Sequence, residues 1–228
     1  MTAHLEARIR SAFNAFVADA GYPCLAAKGL ARRDDYRLGV YSALGSAAAT
    51  RALADGLAAF ADRANHAGPD DPLTAFVAVF AGRAPVSESE FERRLWIQLQ
   101  RLHDRDDPGC RWDPAVSDDP GDPRFSFSFA GCAFFVIGLH PDSSRIARRF
   151  GWPALVFNPH AQFDRLRRHG RYDRLRDLIR ERDSALQGTI NPNLADFGER
   201  SEARQYSGRD TTHGEWRCPF HPRKARAT

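Results

Sequence analysis

Leu5, Ile9, Ala12, Phe13, Phe16, Val17 and Ala20 recur every three to four positions, which predicts an amphipathic first helix ending at Gly21, with Pro23 just beyond. Leu38 to Leu44 alternates loosely and reads as a short strand. Leu53, Leu57 and Phe60 place a second helix between about Ser46 and Asn65, followed by a Gly/Pro/Asp-rich loop over His66–Pro72. Thr74–Phe80 is β-branched and aromatic and reads as a buried strand. Ser87 and Glu90 form a capping box that opens a third helix, with Phe91, Leu95, Gln98, Leu99 and Leu102 on its inner face. A long connection rich in acids and prolines, Asp104 to Pro123, comes next. Loops of that length in compact domains tend to be functional or mobile.

Phe125–Phe129 alternates strictly, Ala130-Gly131 turns the chain, and Cys132–Leu139 returns, which together predict a hairpin. Ser143–Phe150 reads as a short helix and Ala154–Phe157 as a strand. Phe163 and Leu166, then Leu175, Leu178 and Ile179, belong to helices broken near Gly170. From Thr189 to Phe220 no period is sustained. The hairpin argues against a purely parallel sheet. The expected fold is α+β: one domain over residues 1–222, with a mixed, largely antiparallel sheet packed by helices and a long irregular C-terminal segment. Residues 223–228 read as a disordered basic tail.

A chain of 228 residues with 43% hydrophobic and 27% charged residues can bury a core without metal or disulfide support. The longest apolar runs, Ala75–Ala81 and Cys132–Ile137, are far too short for a membrane helix. The N-terminus shows no basic region leading into an apolar stretch. The four cysteines (Cys24, Cys110, Cys132, Cys218) form no Cys-x-x-Cys pair, so a cytoplasmic protein with reduced thiols is expected. The net charge of +4 is unevenly spread: Arg145 to Arg182 holds eleven arginines against four acids, a local surplus of seven, while the remainder sums to −3. Lys28 and Lys224 are the only lysines. Guanidinium suits planar recognition of carboxylates and phosphates. The window reads as a solvated helix face, a nucleic-acid surface or the holder of an anionic ligand. Nucleic acid ranks last, because acids interrupt the stripe and no recognition motif accompanies it.

No Gly-x-Gly-x-x-Gly, Walker loop, Gly-x-Ser-x-Gly elbow or His-Glu-x-x-His is present. Three clusters carry candidate chemistry. In the first, His140 and His160 each follow an apolar strand beside a proline, and Asn158 lies close to the second. Arg145, Arg148 and Arg149 sit next to a helix start at Asp142-Ser143-Ser144. A neutral imidazole beside anion-holding arginines suits a haem, as iron ligand and propionate partners. A hydrogen-bonded structural histidine is the commoner meaning of a lone His at a strand end. The second cluster, Asp196 to Arg209, holds Asp196, Glu199 and Glu202, which suit a cationic substrate, and Arg204, Tyr206 and Arg209, which suit a carboxylate; a solvated loop is the plain alternative. The third, Trp216-Arg-Cys218-Pro-Phe220-His221, offers a haem thiolate or half a zinc site, against a buried unreactive cysteine.

Gly138-Leu-His-Pro-Asp-Ser-Ser-Arg145, Leu155-Val-Phe-Asn-Pro-His-Ala-Gln-Phe-Asp-Arg-Leu-Arg167, Ser201-Glu-Ala-Arg-Gln-Tyr-Ser-Gly-Arg209 and Trp216-Arg-Cys-Pro-Phe220 together resemble the YqcI/YcgG family, as does Tyr22-Pro23-Cys24. The nearest branch by these motifs is that of haem-dependent N-hydroxylases. The resemblance implies haem b, O2 and an external electron donor such as a reductase or ferredoxin. It also implies hydroxylation of a nitrogen on a small guanidino or amino-acid-like substrate; the short apolar runs and the missing recognition motif add the expectation of no membrane and no nucleic-acid partner. A haem-binding or haem-sensing protein without turnover is the alternative. The implied site combines Glu202, Glu199 and Asp196 for the guanidinium, Arg204, Tyr206, Arg209 and Asn158 for the rest of the substrate, and Arg145, Arg148 and Arg149 beside the cofactor. His140 is the first candidate for the iron, Cys218 the second and His160 the third. The Pro-restricted strand end of His140 gives it a fixed direction.

Overall fold

A computed structural model describes residues 3–85, 87–107 and 109–223. The elements among them are α1 (Ala3–Ala18), α2 (Leu25–Arg33), β1 (Tyr36–Tyr41), α3 (Ala47–Asn65), β2 (Ala75–Phe80), α4 (Glu88–Arg105), β3 (Phe127–Phe129), β4 (Cys132–Leu139), β5 (Ala154–Pro159), α5 (His160–Arg168), α6 (Tyr172–Gln187) and α7 (Ala203–Tyr206). The five strands form one sheet in the order β1-β2-β5-β4-β3. β1 and β2 run parallel, joined by α3, and every other pair is antiparallel. The fold is therefore α+β with a mixed, mostly antiparallel sheet, as the sequence pattern predicts.

The apolar runs are explained by burial on both faces of the sheet. Phe76, Ala78 and Phe80 of β2 point into one core with Leu53, Leu57 and Phe60 of α3 and Phe91, Leu95 and Leu99 of α4. Ala75, Val77 and Val79 point into a second core with Ile9, Phe13 and Val17 of α1 and Leu30 of α2. The period-2 pleat makes this division. The capping expectation holds at Ser87, whose Oγ accepts from the Glu90 N–H at 3.2 Å. Phe129 pairs with Cys132 across a two-residue turn in which both Ala130 (φ 50°) and Gly131 (φ 70°) are left-handed, the type I′ geometry that matches strand twist.

Four local expectations change. The structure has α2, which the periodicity misses: its N-cap is Cys24, whose Sγ accepts from Ala27 N–H at 3.4 Å, and Leu30 is its one buried residue. The strand expected at Leu38–Leu44 runs Tyr36–Tyr41. The helix expected over Ser143–Phe150 shrinks to a 3-10 turn at Ile146–Arg148. The connection between α4 and β3 is strapped to the hairpin by acids: Asp106 accepts from Ala130 N–H at 2.9 Å and Asp113 from Ala133 N–H at 3.0 Å. Of the expected basic tail, Lys224 to Thr228 lie outside the described residues. All four cysteines carry free thiols. Among the described residues no helix is long and apolar enough to cross a membrane.

Candidate functional site

The second face of the sheet is only partly covered by α1 and α2, and the uncovered part is the floor of a cavity of about 320 Å³. Alternate residues supply that floor: Val77 of β2, Val156 and Asn158 of β5, and Phe135, Ile137 and Leu139 of β4. The walls are Phe13 of α1, the Tyr22-Pro23-Cys24 turn, Phe163 and Leu166 of α5, Leu175 and Ile179 of α6, and the irregular segment from Asn191 to Glu202. Mostly apolar walls with a few convergent polar groups are the usual make-up of a small-molecule site.

His160 is placed by the end of β5. Pro159 closes the strand, and His160 opens α5 at once, so the ring is held against the cavity at 3% exposure. Its Nδ1 is buried without a hydrogen-bond partner and lies 3.4 Å from Oδ2 of Asp164, one turn on. His160 is the largest influence holding the Asp164 carboxyl below its usual range, and Arg167, whose Nη1 is 2.6 Å from Oδ1, adds to it. With Nδ1 turned to Asp164, Nε2 is the nitrogen left for a ligand. The ring also packs on Phe197, with centroids 4.5 Å apart.

Glu202 reaches the same cavity from the turn before α7. Its Oε1 accepts hydrogen bonds from Ser126 Oγ (2.7 Å) and Tyr206 OH (2.6 Å). Burial pushes its carboxyl up to about 7 from an ordinary 4.5, against the opposing pull of those two bonds and of His160 and Arg167. Glu202 is thus poised between its two protonation states at neutral pH.

Six arginines and three acids line the cavity among the described residues, so the wall favours anions. Arg145 and Arg148 are two of the six. Arg145 is committed to a buried pair with Asp183 (2.5 Å) and to Thr189. Arg148 donates to the carbonyls of Gly138, Tyr206 and Gln205, and burial lowers its guanidinium to about 10. Gly138 permits this packing: a Cβ there would stand 2.6 Å from Phe91 and 2.8 Å from the Tyr206 carbonyl oxygen. Asp196 lines the rim and is bound by Arg176 and Arg180.

The other residues singled out in the sequence lie elsewhere. His140 is 1% exposed, stacks on Phe91 with centroids 4.4 Å apart, and is absent from the cavity wall; its Nε2 is buried without a partner, and burial lowers its pKa. Cys218 packs against the opposite core beside Trp216, where burial pushes the thiol up to about 12, away from thiolate. Arg149 donates to the Ser143 and Ser144 carbonyls. Glu199 accepts from the Asp196 N–H and is exposed. Arg204 lies over Trp216 and donates to the carbonyls of Thr211 and Trp216. Arg209 binds Glu92 Oε2 through Nε (2.8 Å) and Nη2 (2.5 Å). The Tyr206 hydroxyl is spent on Glu202, the Phe127 N–H and the Phe134 carbonyl. The structure therefore brings His160, Glu202, Asn158, Asp196, Arg145 and Arg148 to one cavity and uses Arg204 and Arg209 to pin the C-terminal segment.

Sequence reasoning missed Asp164, Arg167, Arg176 and Arg180. Their signal is helical spacing: Asp164 is one turn from His160, and Arg176 and Arg180 flank the apolar pair Leu175 and Ile179.

No group of three or more His, Cys, Asp or Glu side chains converges to hold a metal among the described residues. A haem needs no such group. Its macrocycle binds the iron through four nitrogens, and the protein adds an axial ligand, an apolar slot and cations for the propionates. His160, with a carboxylate 3.4 Å from its Nδ1, fits that demand, and so do the apolar floor and the positive charge of the wall. The molecule is, by fold and site, an α+β protein with an apolar, arginine-rimmed ligand cavity on one sheet face. The YqcI/YcgG family model matches residues 13–221, so the chain belongs to the YqcI/YcgG family. No curated protein and no solved structure matches it.

Proposed function

We propose that the protein is a haem-dependent oxygenase that hydroxylates a nitrogen of a small guanidino or amino-acid-like substrate. The overall change is R–NH + O2 + 2e⁻ + 2H⁺ → R–NOH + H2O, with the electrons from an external donor. One observation carries the reading: a carboxylate-backed imidazole, His160, and a carboxyl near neutrality, Glu202, face one apolar cavity. Haem, when bound, supplies the activation of O2 that oxidises a nitrogen lone pair.

The chain's own residues do the rest. His160 would hold the iron through Nε2, with the Asp164 carboxylate 3.4 Å from its Nδ1. Arg145 and Arg148, held by their own protein partners, would favour the anionic propionates by their charge. Glu202 answers a difficulty in the substrate: a guanidinium is protonated at neutral pH and has no free lone pair. Ser126 and Tyr206 occupy Oε1, so Oε2 is left to accept a guanidinium N–H and take its proton. The apolar walls exclude water from that exchange.

The test is spectroscopic and then kinetic. Protein expressed with added haem precursor should show a Soret band at about one haem per chain, and arginine-like compounds should stimulate O2 consumption. A Soret band with no substrate-dependent O2 consumption would mark a haem-binding protein without turnover. No Soret band, even after reconstitution, would overturn the reading.

A further inference from the structure

The rim of the cavity holds an arrangement that the catalytic reading does not use. Arg176 and Arg180 lie one turn apart on α6 and both line the cavity. Both converge on one carboxylate: Arg176 Nη1 is 2.8 Å from Asp196 Oδ2, and Arg180 Nη2 is 2.8 Å from Asp196 Oδ1. Each guanidinium takes one oxygen, the arrangement in which two cations grip a planar carboxylate. Asp196 belongs to no helix or strand. It sits between anchors at Asn193, which is tied to Arg209 and Thr211, and Gly198, whose N–H binds the Pro123 carbonyl. Arg176 also meets Asp173 and Asp177 outside the cavity, whereas Asp196 is the acid the two arginines share.

We propose that Arg176 and Arg180 form a carboxylate subsite, which Asp196 fills in the ligand-free protein and a carboxylate-bearing ligand takes over. The exchange replaces one carboxylate by another on the same two cations, so the gross electrostatic change is small. What decides it is the apolar body of the ligand entering the cavity, set against the cost of turning the Asp196 side chain away from the two arginines. Asp196 then acts as an internal competitor that rejects ligands lacking a carboxylate, because these leave the arginines and Asp196 paired. Two sources fit the chemistry: the carboxylate of an amino-acid substrate, or a haem propionate. The subsite rests on the proposed function for its ligand and on the geometry alone for its existence.

The experiment titrates wild type, Arg176→Gln, Arg180→Gln and Asp196→Asn with two matched pairs. Arginine and agmatine differ by a carboxylate, and haem and haem dimethyl ester differ by free propionates. Affinity is read by calorimetry and by the visible spectrum. For one pair the carboxylate-bearing member should bind roughly ten- to a hundredfold more weakly to either Arg variant. The same member should bind more tightly to Asp196→Asn, and its partner should be unmoved. The pair that responds identifies the source. Opposite signs for the Arg and Asp variants cannot come from misfolding. If a pair binds and the variants do not discriminate within it, or Asp196→Asn weakens binding as the Arg variants do, the cluster is a structural strap and the subsite is overturned while the haem reading stands. A wild type that binds none of the four compounds overturns both.

Discussion

The Tyr206 hydroxyl donates to Oε1 of Glu202 at 2.6 Å, one helical turn away, and both side chains are buried. This bond lowers the Glu202 carboxyl but does not offset the burial that raises it to about 7. The sign of the resulting pH dependence is fixed. Below an ordinary 4.5 both folded and unfolded carboxyls are protonated and nothing is gained or lost. Between 4.5 and about 7 only the unfolded chain ionises, so stability falls as pH rises, and above 7 the loss is complete. A shift of this size corresponds to about 3 kcal/mol. Glu202→Gln should therefore be more stable than wild type at pH 8, by up to about 3 kcal/mol, and equal to it at pH 4. Urea midpoints at the two pH values check this, and an equal effect at both would contradict it.

A cation bound against Glu202 favours the ionised carboxylate. Binding of a guanidino ligand at pH 7 should therefore release a fraction of a proton, falling to none at pH 9. Calorimetry in buffers of different ionisation enthalpy measures the proton count, and Glu202→Gln should abolish it. Proton uptake would place the cation elsewhere.

Arg209 illustrates a residue whose charge suggested substrate but whose partner is Glu92. Glu92 also accepts from Trp216 Nε1 (3.1 Å) and Ser207 Oγ (3.2 Å), so it ties α4 to the C-terminal segment. Arg209→Ala should lower stability by about 1–3 kcal/mol and leave ligand affinity within twofold. A large affinity loss with unchanged stability would reverse the assignment.

Ala130 occupies a left-handed position at φ 50°. A non-glycine residue there carries about 1–2 kcal/mol of steric cost, of which glycine would return part to chain entropy. Ala130→Gly should raise stability by about 0.5–1 kcal/mol in denaturant unfolding. A loss would mean that the Ala130 methyl packs more strongly than the turn is strained.

The sheet was legible because Ala75–Phe80 and Cys132–Leu139 are apolar on both faces, a pattern that helices of this length do not need. α2 was not, because a cysteine cap and one buried leucine leave no stripe. In the site, Glu202 and the two strand-end histidines stood out by residue type. Their ranking did not, since which of His140 and His160 meets the cavity depends on whether α4 or α5 covers the strand end. Arg148 reads as a holder of an anionic ligand and is buried on three carbonyls. The contacts of Asp164 with His160 are local, whereas those of Asp196 with Arg176 and Arg180 cross 20 and 16 residues, beyond any periodicity.

His160, and not His140 or Cys218, is the proposed haem ligand of this cavity. The most direct measurement is the visible spectrum of His160→Gly and His140→Ala, expressed with haem precursor, with and without added imidazole. His160→Gly should lose the wild-type ligation and regain it with imidazole, His140→Ala should keep it, and the wild-type ferrous–CO band should be of imidazole and not thiolate type. Unchanged ligation in His160→Gly, or its loss and imidazole rescue in a glycine variant of His140, would contradict it.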